Sequence, residues 1–376
     1  MSDECKLIYK GKMDEDDVLD NEDDVYPATL QVEKIYSANS ESQEDDWQNI
    51  IAFGDNLQFL KTIYENKDPL IKDKVKGKVK LIYIDPPFTT KKDFKGRNGQ
   101  KAYTDKVKGT EFIEFLRRRL IVAKEILDEQ GSIYIHLDEK SSHYIKIIMD
   151  ELGFKFQREI IWRIGWISGY KTKAENWIRN HDVILFYTKS DNFQFNKEYI
   201  PYADDYVRRD GSKPKGKGYA IEDTWNSSEL DSMNSIQIMS FNNEKTGYPT
   251  QKNENLLKRI VKSATNEGDI VLDFFGGSGT TAAVAEKLNR KWITCDIGKL
   301  SFHTIQKRIL NIDKSKDLEN PKKKYDKQAK SFTTVQLSSS TVESHDLIES
   351  KFQEFYFKYP VEVESKIKMT EDKVVL

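Results

Sequence analysis

The chain has 376 residues, 60 basic and 62 acidic side chains, a net charge of −2 and 38% hydrophobic residues, enough for one large core with an inserted or satellite unit. No run approaches the roughly 18–20 apolar residues of a membrane span, and the only cysteines, Cys5 and Cys295, cannot build a disulfide framework. No Cys cluster or paired-His motif suggests a metal, the five histidines are scattered, and the N-terminus lacks a secretory signal, so a cytoplasmic protein without metal or membrane is expected.

The charge is segregated. Residues 1–46 hold 15 acids against 4 bases, a net of −11, which leaves +9 for the other 330 residues. The acidic opening is too charged and too poor in apolar residues to offset the entropy of ordering, and is expected to be a disordered tail. The remaining body is mildly basic, as phosphate contacts require.

From Trp47 the pattern changes. The run IIAF at 50–53 ends in Gly54-Asp55-Asn56 and leads into a helical stretch through Leu60 and Ile63. LIYI at 81–84 reads as a strand buried on both faces and stops at Asp85-Pro86-Pro87-Phe88. Phe112, Leu116, Leu120, Ala123 and Leu127 fall at helical spacing, with Gly131 placed to end the helix before the strand SIYIHL at 132–137. Strand, helix, strand is the pattern of a parallel α/β sheet. Two further strands are expected at 158–164 and 181–188.

Residues 189–248 are rich in Lys, Arg, Gly, Asn, Ser and aromatics with little periodicity, and read as a loop-rich insertion. The α/β pattern then returns: a helix at 253–264, the strand IVLDFF at 270–275, a glycine turn, a helix to Leu288, the strand WITC at 292–295 and a helix at 300–312. The boundaries expected are a tail at 1–46, one half of the α/β unit at 47–188, the insertion at 189–248, the other half at 249–314, and a linker with a C-terminal region of no legible chemistry at 315–376.

Two segments carry chemistry. Asp273-Phe274-Phe275-Gly276-Gly277-Ser278-Gly279-Thr280-Thr281 leaves a buried strand and enters a helix; its glycines permit a tight turn and a close approach to a ligand. Asp296 closes the next strand, where a carboxylate can accept hydrogen bonds from ribose hydroxyls. That pair fits either a nicotinamide cofactor or S-adenosylmethionine. The tetrapeptide Asp85-Pro86-Pro87-Phe88 separates them. Its prolines hold an extended course and donate no hydrogen bonds, leaving the Asp85 carboxylate and the Pro86 carbonyl as adjacent acceptors for an amino group with two hydrogens. Phe88 would stack on a base rotated out of a duplex. A nicotinamide-dependent oxidoreductase leaves this tetrapeptide without a task.

On these residues the chain resembles the amino-group DNA methyltransferases of the beta class, in which the catalytic tetrapeptide precedes the cofactor turn. FGDN at 53–56, GSIYIHLDE at 131–139, NHDVILFYTK at 180–189 and GYPTQKNENLLKRI at 247–260 also match, so the resemblance runs over roughly residues 50–312. It is nearest to the modification subunits of type III restriction systems and related solitary enzymes. The resemblance implies a Rossmann-like S-adenosylmethionine-dependent sheet with helices on both faces and a target-recognition role for 189–248. The implied reaction is methyl transfer to adenine N6 in double-stranded DNA, with N4 of cytosine as the alternative amine; cytosine chemistry more often goes with Ser at position 85. A second copy of the chain and a nuclease-helicase restriction subunit are further partners it raises.

Carried over by residue, Asp85, Pro86, Pro87 and Phe88 would hold the target base. Asp273, Phe275, Gly277, Gly279, Thr280 and Thr281 would surround the methionine part of the cofactor, and Asp296 its ribose. Asp55 resembles the acid that reaches the cofactor adenine, and Lys252 a cation facing the cofactor carboxylate. The sequence departs from the family at Phe274, where Pro is usual, and at Phe88, where Tyr is common.

Overall fold

The computed structural model describes residues 6–37, 47–87, 93–95, 101–104, 109–163, 175–226 and 244–338. In chain order the first half runs α1 (Glu15–Leu19), β1 (Thr29–Tyr36), β2 (Asn49–Phe53), α2 (Asn56–Glu65), β3 (Val79–Ile84), β4 (Asp93–Lys95), β5 (Lys101–Thr104), α3 (Thr110–Ile126), β6 (Leu127–Leu137), α4 (Ser142–Glu151), β7 (Lys155–Arg163) and β8 (His181–Thr188). The second half runs β9 (Tyr199–Ile200), β10 (Tyr219–Ala220), β11 (Thr224–Trp225), α5 (Glu254–Ala264), β12 (Ile270–Asp273), α6 (Thr280–Lys287), β13 (Lys291–Asp296), α7 (Lys299–Leu310) and β14 (Phe332–Ser338).

Ten of these strands form one sheet in the order β1-β14-β2-β13-β12-β3-β6-β8-β7-β11. From β14 to β6 all neighbours are parallel; β8 runs against both β6 and β7, and β1 against β14. Strand alternation sorts the core into two layers. Ile82 and Ile84 of β3, with Ile133 and Ile135 of β6, pack under α2, α3 and α4. Leu81 and Tyr83, with Tyr134 and Ile184, pack under α5, α6 and α7. The result is the expected three-layer α/β architecture with helices on both faces.

Two local expectations are corrected, for the acidic segment and for Gly131, and the C-terminal region acquires a structural part that its sequence left open. Residues 6–37, read as part of a disordered acidic tail, form α1 and β1. Val18 and Leu30 are buried in the main core, and β1 pairs with β14 from Thr29↔Ser338 to Tyr36↔Phe332. Most of the acids, Asp14, Asp16, Asp17, Asp20, Glu22 and Asp24 among them, are exposed, while Leu7, Tyr9, Met13 and Val25 pack inward and the Asp23 side chain is buried against Lys61, so net charge misjudged the apolar area available. The C-terminal region is likewise structural in part, because β14 inserts between β1 and β2 and buries Phe332, Val335 and Leu337. Gly131 does not end α3. The helix stops at Ile126, and Gly131 lies inside β6 at a register break in its pairing with β3, where a Cβ would stand 2.7 Å from the Leu127 side chain.

The insertion is loop-rich as expected over its described residues, with only the β9–β10 ribbon and the two-residue β11 at the sheet edge. Trp225 of β11 is buried, and the guanidinium of Arg259 on α5 stacks over its ring, which ties the insertion to the core. Residues 227–243 lie outside the described residues. No helix among the described residues is long and apolar enough to cross a membrane.

Candidate active site

Strands β12 and β3 are adjacent and parallel, yet the chain leaves them in opposite directions: from β12 through α6 to β13, and from β3 through α3 to β6. Such a switch point opens a crevice at the carboxyl ends of the strands. Asp273 ends β12, Asp85 follows β3, and Asp296 ends β13, so the two chemistry-bearing segments, far apart in sequence, meet at one edge. The alternation that turns Leu81 and Tyr83 toward α5–α7 continues to Asp85.

This edge is rich in carboxylates. Burial, helped by the nearby charges of Asp85 and Asp296, pushes Asp273 up to about 7 against the opposing pull of its hydrogen bonds from Thr281 and Phe275. Burial also raises Asp296. Asp273 accepts from Phe275 N at 3.0 Å and from Thr281 Oγ1 at 2.6 Å. Asp296 accepts from Gly277 N at 2.8 Å and from Gly298 N at 2.7 Å, so it clamps the glycine turn.

The turn needs its glycines for two separate reasons. A Cβ on Gly276 would lie 2.4 Å from Thr294 Oγ1 on β13, and Gly279 sits at φ +71° as the cap before α6. The backbone thus turns directly from the end of β12 into α6, whose first amides have no partner within the helix. Thr280 is buried; its hydroxyl donates to the Lys252 carbonyl at 3.0 Å and accepts from Arg308 Nη1 at 2.9 Å. Phe275 packs against Phe115 of α3, with ring centroids 6.0 Å apart.

Asp85 pairs with Lys252: Nζ lies 2.5 Å from Oδ2, with 10% of the lysine side chain and 20% of the aspartate side chain exposed. The other oxygen, Oδ1, is buried and has no hydrogen-bond partner among the described residues. Pro86 is buried and Pro87 half-buried, while Phe88 lies outside the described residues. Lys252, matched by resemblance to a cofactor-facing cation, is thus paired with the first residue of the Asp85-Pro86-Pro87-Phe88 segment.

Asp55 is also more occupied than its motif suggested. Its Oδ1 caps α2 by accepting from Gln58 N at 2.9 Å, and its Oδ2 pairs with Arg119 Nη2 at 3.1 Å. Arg119 Nε further donates to Asn56 Oδ1, and Asn56 Nδ2 donates to the Phe274 carbonyl at 2.6 Å, so this cluster braces the glycine turn from the α2–α3 side. Asn56 and Arg119 were not singled out in the sequence. Arg119 closes a run of three arginines that looks like a solvated face, and only its helical phase turns it inward, 2% exposed.

Behind Asp85 lies a second missed group. His136 is fully buried on β6; its Nε2 donates to Asp182 Oδ2 at 3.2 Å, and the Tyr83 hydroxyl lies 3.0 Å from its Nδ1. Burial works against the Asp182 charge, but the hydrogen bond and charge of His136, with Lys252 and Arg179 nearby, outweigh it and lower Asp182 to about 2. Burial first, then the charges of Asp85, Asp273 and Asp182, raise Tyr83 well above a free tyrosine. The IHLDE and NHDVIL segments carry this pair, but its partners are legible only once β6 and β8 are paired.

The sequence profile of the N6/N4 methyltransferase family, described as DNA methylase, matches residues 79–307, more than half of the chain. A type II methyltransferase of Enterobacter cloacae, M.EcaI, is 28% identical over 369 residues, covering 81% of this chain and 77% of its own length. The DNA adenine methyltransferase YhdJ of Escherichia coli is 29% identical, covering 58% of this chain and 72% of its own. Among solved structures, the cytosine-N4-specific PvuII DNA methyltransferase shares the fold with a TM-score of 0.50 at 16% identity, over 69% of this chain and 86% of that one.

Proposed function

Because the chain belongs to the N6/N4 DNA methylase family, we propose that it is a site-specific DNA methyltransferase that uses S-adenosylmethionine to methylate N6 of adenine in double-stranded DNA. The observation that carries this reading is the Oδ1 of Asp85 at the switch point, buried and without a hydrogen-bond partner among the described residues, beside the glycine turn that follows Asp273. An aspartate at position 85, where cytosine-directed relatives more often have Ser, favours adenine over cytosine. Similarity to a type II methyltransferase supports a place in a restriction-modification system.

The crevice suits the cofactor by charge. The charges of Asp85 and Asp296 both act on Asp273, and a ligand bearing a sulfonium and an ammonium relieves that repulsion. Asp273, Phe275, Gly277, Gly279, Thr280 and Thr281 would hold its methionine part and Asp296 its ribose, with Asp55 at the same edge near the adenine. When bound, the cofactor supplies an electrophilic methyl group. The protein's task is to place the amine and to shape its charge. Asp85 Oδ1 accepts one N6 hydrogen and the Pro86 carbonyl the other, drawing the nitrogen lone pair out of conjugation with the ring. The Asp85 charge then faces the positive charge that develops on N6. Phe88, following the two prolines, would stack on the extruded base.

Incubation with methyl-labelled S-adenosylmethionine and DNA, followed by digestion to nucleosides, is expected to place the label in N6-methyladenine. Label in N4-methylcytosine would reassign the target amine, and no transfer to any DNA would overturn the activity. Asp296→Ala is expected to weaken cofactor binding by about 1.5–3 kcal/mol through lost charge-assisted hydrogen bonds. Unchanged affinity by calorimetry would remove Asp296 from the cofactor site.

A further inference from the structure

The four carboxylates at this edge of the sheet are not held alike. Asp273 and Asp296 each accept the backbone N–H two residues on, from Phe275 and Gly298, and Asp55 accepts that of Gln58 three residues on. Local N–H groups therefore fix where each of those carboxylates points. Asp85 has no such support at its next two positions, because Pro86 and Pro87 carry no N–H. The sequence that frees acceptors for the substrate amine also strips the catalytic carboxylate of its usual backbone brace.

A side chain takes that place. Lys252 Nζ sits 2.5 Å from Asp85 Oδ2, while Oδ1 is left buried and unpartnered among the described residues. Lys252 is itself anchored on both sides. Its carbonyl accepts the Thr280 hydroxyl at the start of α6, and the next residue, Asn253, caps α5 by accepting from Leu256 N at 2.9 Å. Arg308 reinforces the anchor by donating to Thr280 Oγ1 and pairing with Glu254 Oε1 at 2.9 Å. The lysine thus projects from the junction of α5 with α6, the helix that the glycine turn leads into.

We propose that Lys252 is a positioning residue for methyl transfer: its ammonium holds Oδ2 of Asp85 so that Oδ1 is the oxygen presented to the target amine. This rests on the reading of Asp85 as the amine acceptor. It differs from a role in holding the cofactor carboxylate, since a lysine that orients Asp85 acts on turnover rather than on cofactor affinity. A placement error of about 1 Å at the acceptor is enough to cost turnover heavily.

The test compares Lys252→Met and Lys252→Arg in the wild-type chain and in an Asp85→Ala background. It measures turnover at saturating DNA and labelled cofactor, cofactor Kd by calorimetry, and melting temperature. Lys252→Met is expected to lower turnover about ten-fold or more, the loss of one charged hydrogen bond, with cofactor Kd within about two-fold and an unchanged melting temperature. Lys252→Arg is expected to restore most of the turnover, and Lys252→Met to add no further loss once Asp85 is gone. Wild-type turnover in Lys252→Met, a loss confined to cofactor Kd, or a full additional loss in the Asp85→Ala background would each overturn the proposal. Near wild-type turnover in Asp85→Ala alone would overturn the assignment of Asp85 itself, so the two failures are told apart.

Discussion

Asp85→Ala is expected to lower turnover by at least about 10²-fold, the scale seen when a preorganised electrostatic group is removed from an active site. The substitution takes away the acceptor Oδ1 and the negative charge that faces the developing ammonium, while two prolines preserve the course of the backbone. Asp85 lies beyond the end of β3, outside the ladder hydrogen bonds, and its side chain is 20% exposed. Folding and cofactor affinity are therefore expected to change far less than turnover. One structural cost is identifiable: the Lys252 ammonium loses its ion pair with Asp85. Single-turnover transfer, calorimetric cofactor Kd and melting temperature, measured on one preparation, check all three parts. A variant that transfers methyl near the wild-type rate would show that the tetrapeptide is misread.

Asp23→Ala is expected to destabilise the fold by about 3–5 kcal/mol, because it strands a buried ammonium. Lys61 on α2 pairs with Asp23 and also donates to the Val25 carbonyl at 2.9 Å, and the side chains are 1% and 0% exposed. Burial already lowers the Lys61 pKa, with Asp23 as the chief opposing influence. Chemical denaturation is the appropriate readout, and Asp23→Ala combined with Lys61→Met is expected to recover much of the loss by removing the orphaned charge. A variant as stable as wild type would return residues 6–37 to the status of a dispensable tail.

How far the sequence reveals this architecture depends on how local the determinant is. The strand, glycine turn and helix from Ile270 to Lys287 are written in neighbouring residues, and so is the abrupt end of β3 at two prolines. Their meeting at one edge was legible only through the family resemblance. Elements held by distant pairing were not legible. β14 is a short, mostly uncharged run whose place beside β2 depends on register with residues almost three hundred positions earlier, such as Thr333↔Ile50. α1 is acidic, β1 shows no clear alternation, and their order comes from a few inward apolar groups and the Asp23–Lys61 pair. Within the site, Asp85, Asp273 and Asp296 stood out because each closes an apolar strand run in the sequence. Asn56, Arg119, His136 and Asp182 act through partners on other elements, and nothing in their neighbours announces that.

The central claim is that this chain methylates adenine N6 at a defined DNA sequence and that Asp85 receives the amine. The most direct measurement is sequencing of modified bases in the DNA of cells that otherwise lack DNA methylation, expressing either the wild-type chain or Asp85→Ala. The account predicts N6-methyladenine at copies of one short sequence with the wild-type chain and its loss with the variant. Modified cytosine in place of adenine, methylation without a common sequence, or the same adenine pattern in the variant would contradict it.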